Sequence, residues 1–233
     1  MRDRPSSDSR PSARQTTLSV DIVAVSPLAK SLAVLLMKSP DPRSRERWTL
    51  PWGAPRGEET LADTAIRVSR ATLGAAPAAV EQIRAFGDTL RHPGDAEVSV
   101  GFVAFVPVHD RALADPDPGW VGLDAMPARA PRHRAIVDAA FDMIRRRIDQ
   151  SPIAFRLLPP TFTLSELQSI YERLLGRRLH KASFRRALQA AYLVEPTDEW
   201  RSEGRGRPAQ LFRYAPKKRR DNRRGVRFDL LTD

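Results

Sequence analysis

Residues 163–214 set out an order of short elements that few folds can accommodate. Thr163-Leu-Ser-Glu166 is a capping-box pattern, in which a hydroxyl and a carboxylate each satisfy a free helix-start amide. Leu164, Leu167, Ile170, Tyr171 and Leu174 follow at helical spacing, and Gly176 ends the run. After a brief turn through Arg177-Arg178-Leu179, a second helix is predicted over about 181–191. Its core face is Phe184, Leu188 and Ala191, which leaves Lys181, Ser183, Arg185, Arg186 and Gln189 largely outside. Leu193-Val194-Glu195 and Leu211-Phe212-Arg213-Tyr214 predict the two strands of a hairpin. Between them, Arg201-Ser-Glu-Gly-Arg205-Gly-Arg207-Pro208 makes a cationic tip.

Support helix, turn, second helix and basic hairpin are a winged helix-turn-helix in outline. A helix fits the major groove, and arginine can bond guanine through two acceptors at once. Lys181, Ser183, Arg185 and Arg186 are therefore expected at the groove, with Arg205 and Arg207 reaching phosphates or the minor groove. Charge agrees with this placement. Residues 152–233 hold 18 Lys/Arg against 9 Asp/Glu, while residues 1–151 hold 21 against 19, out of a net charge of +11. Such asymmetry is an electrostatic footprint for nucleic acid. The same small fold also serves dimerisation or protein binding, which exposed leucines would mark; this chain shows arginines.

The 233 residues suffice for one large or two modest domains. Residues 1–16 are Arg, Ser and Pro without apolar periodicity, and read as a disordered arm. Strands are predicted at Leu18 to Val25, Leu32 to Met37, Ile83 to Phe86 and Val98 to Val106. A helix is predicted from His133 to Asp149, with Ile136, Ala140, Met143 and Ile144 inward. Ser151-Pro152 then divides residues 17–150 from the helix-turn-helix unit of 151–215, and 216–233 form a basic tail. Cysteine is absent, which rules out disulfides, thiol chemistry and zinc-thiolate sites. No apolar run approaches the roughly 20 residues of a membrane span, and no signal-peptide core is visible, so the cytoplasm is the expected compartment.

Residues 53–74 carry the outline of a metal-dependent motif without its metal ligands. Gly53, Glu59, Arg67 and Gly74 fall on the spacing of the Nudix box, which this stretch resembles, and Arg47-Trp48-Thr49-Leu50-Pro51 resembles the approach to it. The three glutamates that the family places after the arginine are Val68, Ala71 and Thr72 here, and the usual second glycine of the approach is Trp52. Magnesium requires several hard oxygen ligands, so Glu59 alone makes a poor cage. No catalytic residue and no metal ligand is assigned. Glu59 to Leu73 also reads simply as an amphipathic helix closed by Gly74. Arg56, Glu59, Arg67 and Glu97 are the candidate ligand-binding residues; Arg67 serves equally as an ion-pair partner of Glu59, and Glu97 as a solvated turn residue. Trp48 and Trp52 are candidates for stacking on a base or for burial, and His133 for capping or packing its helix.

From about Leu18 to Tyr214 the chain resembles the NrtR family, the Nudix-related transcriptional regulators of NAD metabolism. The likeness includes the box, Phe86-Gly-Asp88, Val98 to Pro107, Ser151-Pro-Ile-Ala-Phe155, Phe162 to Gln168, Phe184-Arg-Arg186 and Gly204 to Pro208. Of the family's Ala-Phe-Asp-His near the linker, Ala130-Pro-Arg-His133 keeps only the ends. The resemblance implies an α/β (α+β) Nudix-like sandwich followed by a small α+β winged helix-turn-helix domain. It further implies a homodimeric repressor on a palindromic operator in double-stranded DNA, sensing ADP-ribose or a related NAD metabolite, with no required cofactor. The alternative is a divergent Nudix hydrolase acting on ADP-ribose or another nucleoside diphosphate derivative, using Glu97 or other carboxylates. Deletion of residues 216–233 should weaken binding to all DNA alike, reduce its salt dependence and leave operator preference intact. Loss of preference with the tail, measured by salt-controlled titration, would move sequence recognition away from the second helix.

Overall fold

The computed structural model describes residues 16–28, 31–39, 46–107, 119–202 and 207–216. The expected N-terminal arm, the basic tail and Arg205 lie outside them, apart from single residues at the inner ends of arm and tail. A mixed six-stranded sheet has the order β6-β7-β1-β2-β8, with β5 also on β1. These strands are β1 (Leu18–Pro27), β2 (Leu32–Leu35), β5 (Trp52–Gly53), β6 (Ala79–Phe86), β7 (Val98–Phe105) and β8 (Trp120–Gly122). β1 pairs in parallel with β7 from Leu18↔Val98 to Val25↔Phe105, and antiparallel with β2 and β5.

Helices cover both faces of this sheet, which is why β1 and β7 are buried almost throughout and not on alternate residues, with Ser19, Asp21 and Ser99 inside among the apolar side chains. Helix α1 (Leu61–Leu73) lies on one face, where Ala65, Val68 and Leu73 join Val20, Ile22 and Ala24. Helix α2 (Pro131–Arg147) lies on the other, where Ile136, Val137, Ala140 and Ile144 join Val23 and Val25. Proline at the first position of α2 starts it two residues before the expected His133, because the missing N–H is one that no helix start satisfies. The expected strand Leu32 to Met37 is broken at Leu36, whose N–H donates to Gly119 O. β3 (Met37–Lys38) then pairs with β4 (Trp48–Thr49) in a separate two-stranded sheet. β6 begins four residues before the expected Ile83, held by the β7 ladder through a bulge between Gln82 and Ala85.

The C-terminal elements follow the expected order closely. A 3-10 helix (Ile153–Leu157) leads to β9 (Thr161–Phe162), α3 (Leu164–Leu175), α4 (Lys181–Ala191), β10 (Val194–Arg201) and β11 (Ala209–Tyr214). The Thr163–Glu166 capping box is complete in both directions, and Gly176 closes α3 at φ 70°. β9, which the sequence did not suggest, pairs with β11 and makes the hairpin three-stranded. One apolar cluster runs from Val23 and Val103 through α2, Phe155 and Leu157 to Tyr171, Phe184 and Leu188.

Trp52 stands where the resembled approach has glycine, and its ring lies over Gly94, where an added Cβ would sit 2.2 Å from it. Gly94→Ala should therefore cost about 1–3 kcal/mol through overpacking. Combined with Trp52→Ala, the loss should fall below the sum of the two single changes, as urea melts of the double-mutant cycle will show.

Candidate functional site

The box region is built around one carboxylate. Thr60 caps α1 with Asp63, so Glu59 stays outside the helix and turns back along it. Arg67 grips Glu59 with two bonds, Nε to Oε1 at 2.7 Å and Nη2 to Oε2 at 2.9 Å, and Nη2 also donates to Ala54 O at 2.8 Å. Thr64 Oγ1 and the Arg56 N–H donate to the same Oε2. The Arg67 guanidinium, more than any other contact, lowers the Glu59 carboxyl to about 2. Glu59 is thus a fully committed ion-pair partner, and Arg56 contributes its backbone while its side chain is exposed.

The positions that would need oxygen ligands do other work. Val68 is buried in the core, with its Cγ2 2.9 Å from where a Cβ on Gly53 would lie. Ala71 is exposed, and the Thr72 hydroxyl donates back to Val68 O at 3.0 Å. None of the three presents an anionic oxygen. Glu97 is exposed just before β7; its N–H donates to Thr17, and its carbonyl accepts from Arg132.

A second cluster is fully buried. Asp21, His92 and His133 bring ligand-type atoms within 4.8 Å of one another. Asp21 Oδ1 accepts from His92 Nε2 at 2.8 Å and from His133 Nε2 at 2.9 Å, while Ser19 Oγ donates to Oδ2 at 2.7 Å. The opposite ring nitrogens fix the protons. Leu50 N–H points at His133 Nδ1 at 3.1 Å, and Gly94 N–H at His92 Nδ1 at 3.0 Å. A nitrogen that faces a donor must carry the lone pair, so each imidazole is neutral with its proton on Nε2. A cation between these groups would need those Nε2 lone pairs and would leave both Nδ1–H groups opposing backbone N–H groups. The donor set therefore suits a buried carboxylate, not a metal. Burial alone would raise the Asp21 carboxyl, but the bonds from His133 and His92 outweigh it and hold it far below the usual carboxylate range. Burial pushes the His133 imidazole down more strongly than Asp21 raises it.

His133 packs at the helix start, one of the two uses open to it, with a purpose that the sequence did not disclose. Ala130 and His133, the ends of the resembled pattern kept here, are both buried, and that retention was the available signal. Trp52 stacks edge-on to His92 at 4.9 Å, and Trp48 is half-buried.

On the C-terminal unit, Phe184 and Leu188 are buried, while Lys181, Arg185, Arg186 and Gln189 of α4 are exposed. Ser183 is half-buried, its hydroxyl 3.2 Å from His180 Nδ1 at the helix start. Arg207 is exposed where β11 begins. Arg201 pairs with Glu166, which ties the wing to the cap of α3.

These features define a Nudix-type unit joined by a shared helix to a winged helix. Residues 154–214 match the NrtR DNA-binding winged helix domain. The chain is 30% identical over 205 residues to the "ADPR responsive transcriptional repressor NtrR" of Acinetobacter baylyi, covering 85% of this chain and 82% of that protein. It therefore belongs to the NrtR family. The crystal structure of Shewanella oneidensis NrtR complexed with a 27mer DNA aligns at TM-score 0.74 and 30% identity, covering 85% of this chain and 94% of that one. A MutT/nudix family protein from Enterococcus faecalis shares the fold, at TM-score 0.68 and 20% identity over 87% of this chain and 89% of its own.

The cluster sets an acid limit. Because the folded His133 pKa lies below its ordinary 6.5, the unfolded chain takes up that proton first as pH falls. The stability contribution is complete above pH 6.5 and is lost below it, at about 1.4 kcal/mol per pH unit for this proton until the folded imidazole titrates. The lowered Asp21 pKa adds its own loss only as pH falls past 3.8. Urea melts taken on either side of pH 6.5 should show this slope, and His133→Gln should flatten it.

Proposed function

We propose that this protein is a DNA-binding transcriptional repressor of NAD biosynthesis or related genes. It binds a palindromic operator as a homodimer in the cytoplasm, and it senses ADP-ribose or a related nucleotide through a Nudix-type unit that has lost its catalytic glutamates. The observation that carries this reading is the two-sided α4. Phe184 and Leu188 fasten it to the core while Lys181, Arg185 and Arg186 stand exposed on the same helix. Support comes from a relative described as an ADPR responsive repressor and from a similar chain crystallised with DNA.

In this reading Lys181, Arg185 and Arg186 meet the major groove, and Ser183 orients the helix start. Arg207, with Arg205 from outside the described residues, holds the backbone. A twofold protein suits a twofold site. Glu59, Arg67, Arg56 and Glu97 flank the ligand site. The exposed Arg56 supplies positive charge for a diphosphate and Arg67, paired with Glu59, holds the box segment in place beside it, while Val68, Ala71 and Thr72 leave no carboxylates to gather magnesium for its hydrolysis. Ligand held without turnover shifts the balance between forms that fit or miss the operator. Among the described residues, no helix is long and apolar enough to cross a membrane.

Salt-controlled anisotropy with DNA from the protein's own promoter and nearby NAD-biosynthesis promoters, with and without ADP-ribose, tests the reading. The expected result is palindrome-dependent binding that ADP-ribose shifts. Binding no better than to random DNA, or rapid magnesium-dependent loss of ADP-ribose, would overturn it in favour of a hydrolase. Arg186→Ala, or Arg185→Ala if the register differs by one, should cost about 1–3 kcal/mol at the operator by removing a bidentate base contact.

A further inference from the structure

Helix α2 is shared by the two halves of the molecule. It packs against β1, β6 and β7 on one side and against α3 on the other. Its inward residues belong to the same apolar cluster as Tyr171 and Phe184. Apolar contact is non-directional, so it sets how much surface is buried and says little about where along its axis a helix sits. Directional bonds fix that: Arg147 pairs with Glu81 at the last turn of α2, and at the first turn Arg132 donates to the carbonyls of Asp88, Ala96 and Glu97. His133, two residues into the helix, accepts from Leu50 N–H and donates to Asp21.

The other partners lead back to the box. Leu50 begins a short run whose farther part is bonded to the box elements. Pro51 O accepts from Ile22 N–H at 2.8 Å, Gly53 pairs with Val20, Ala54 O accepts from Arg67, and Arg56 N–H donates to Glu59. Within seven residues the chain thus holds the α2 anchor at one end and the Glu59–Arg67 pair at the other. Trp52 lies in the middle of this run, edge-on to His92 at 4.9 Å, and His92 lies edge-on to His133 at the same centroid distance. A shift of residues 50–54 withdraws the Leu50 N–H from His133. With that bond gone, the Thr49 hydroxyl still lies 3.1 Å from Nδ1, but a hydroxyl donates or accepts equally well, so the tautomer facing Asp21 is no longer fixed.

We propose that Asp21, His92 and His133, read through Leu50 and Trp52, are positioning residues that couple the box-side ligand site to α2 and so to the DNA-reading helix. This rests on the reading above that a nucleotide binds beside the box. The cluster contacts neither ligand nor DNA. It acts by making the axial position of α2 depend on the position of residues 50–54.

The test uses the full chain and two variants. Asp21→Asn keeps the shape, and its amide oxygen can still accept both Nε2–H groups, but it removes the charge that holds them. His133→Gln keeps a donor toward Asp21 and loses the acceptor for Leu50 N–H. For each, four quantities are measured: melting temperature, ADP-ribose affinity, operator affinity, and the ratio of operator affinities with and without saturating ADP-ribose. A purely structural cluster lowers the melting temperature and leaves the ratio alone. A coupling cluster leaves each separate affinity within about threefold and brings the ratio from roughly 5–150-fold, the ordinary range of allosteric coupling, to near one. An unchanged ratio in a variant that remains folded overturns the proposal.

Hydrogen exchange gives a readout that needs no ligand. In Asp21→Asn the amides of Leu50, Gly94, the first turns of α2 and the facing part of α3 should exchange faster together, while α1 does not change. Faster exchange confined to Leu50 and Gly94 overturns the proposal, and it does so even for a variant too unstable for binding work. A wild-type protein that binds its operator with no response to ADP-ribose sinks the effector reading instead. The exchange result then decides by itself whether the cluster positions α2.

Discussion

A carboxylate with no solvent exposure organises the first half of this molecule. Taking the Asp21 charge out of water costs several kcal/mol unless hydrogen bonds replace the lost hydration. Two imidazole N–H groups and the Ser19 hydroxyl do so. Each imidazole must in turn be neutral and correctly oriented, and two backbone N–H groups see to that from the other side. Satisfying one anion therefore fixes β1, the segment after β4, the turn before β7 and the start of α2 relative to one another. A half-satisfied network would be worse than an apolar core, so these elements move together or the network breaks.

The second organising fact is that the apolar core does not stop at the junction between the two units. Phe155, from the short 3-10 helix, contacts Phe162, Tyr171 and Tyr214 through its ring, while Ile153 and Leu157 extend the cluster that α2 shares with the sheet. Glu81 on β6 reinforces the joint by pairing with Arg147 at the end of α2 and with Arg156 of the 3-10 helix. A hinge of exposed polar linker would let the winged helix swing freely. A joint built on buried aromatics transmits displacement from one unit to the other.

The box helix is a wall of the sheet core. The Val68 position, which needs an oxygen in the resembled hydrolases, faces Gly53 and the core of the sheet. A valine there gives the helix apolar contact with the sheet. Glu59 survives because it is bonded to Arg67, Thr64 and the Arg56 amide, and so retains a structural duty. The segment keeps its geometry through those bonds.

Much of this could be read along the chain, because the signals involved are local. Capping boxes act over three residues and amphipathic stripes over three or four, and a terminal glycine reports a single backbone conformation. That is why α3, α4, Gly176 and the exposed cations of α4 were legible in the amino-acid order. The departure of Val68, Ala71 and Thr72 from the box pattern could be seen for the same reason, as a fixed spacing within one helix. The Asp21 cluster was not. Its aspartate lies 71 residues from one histidine and 112 from the other, and in sequence His92 is only a turn residue beside a proline. Strand β9 and the split of β2 from β3 were equally hidden, since each depends on a partner strand supplied from elsewhere in the chain. Local sequence determined which elements form and which faces they bury. Only the packed tertiary structure decided which distant polar groups had to meet, because a buried charge selects its partners by proximity in space and not by spacing along the chain.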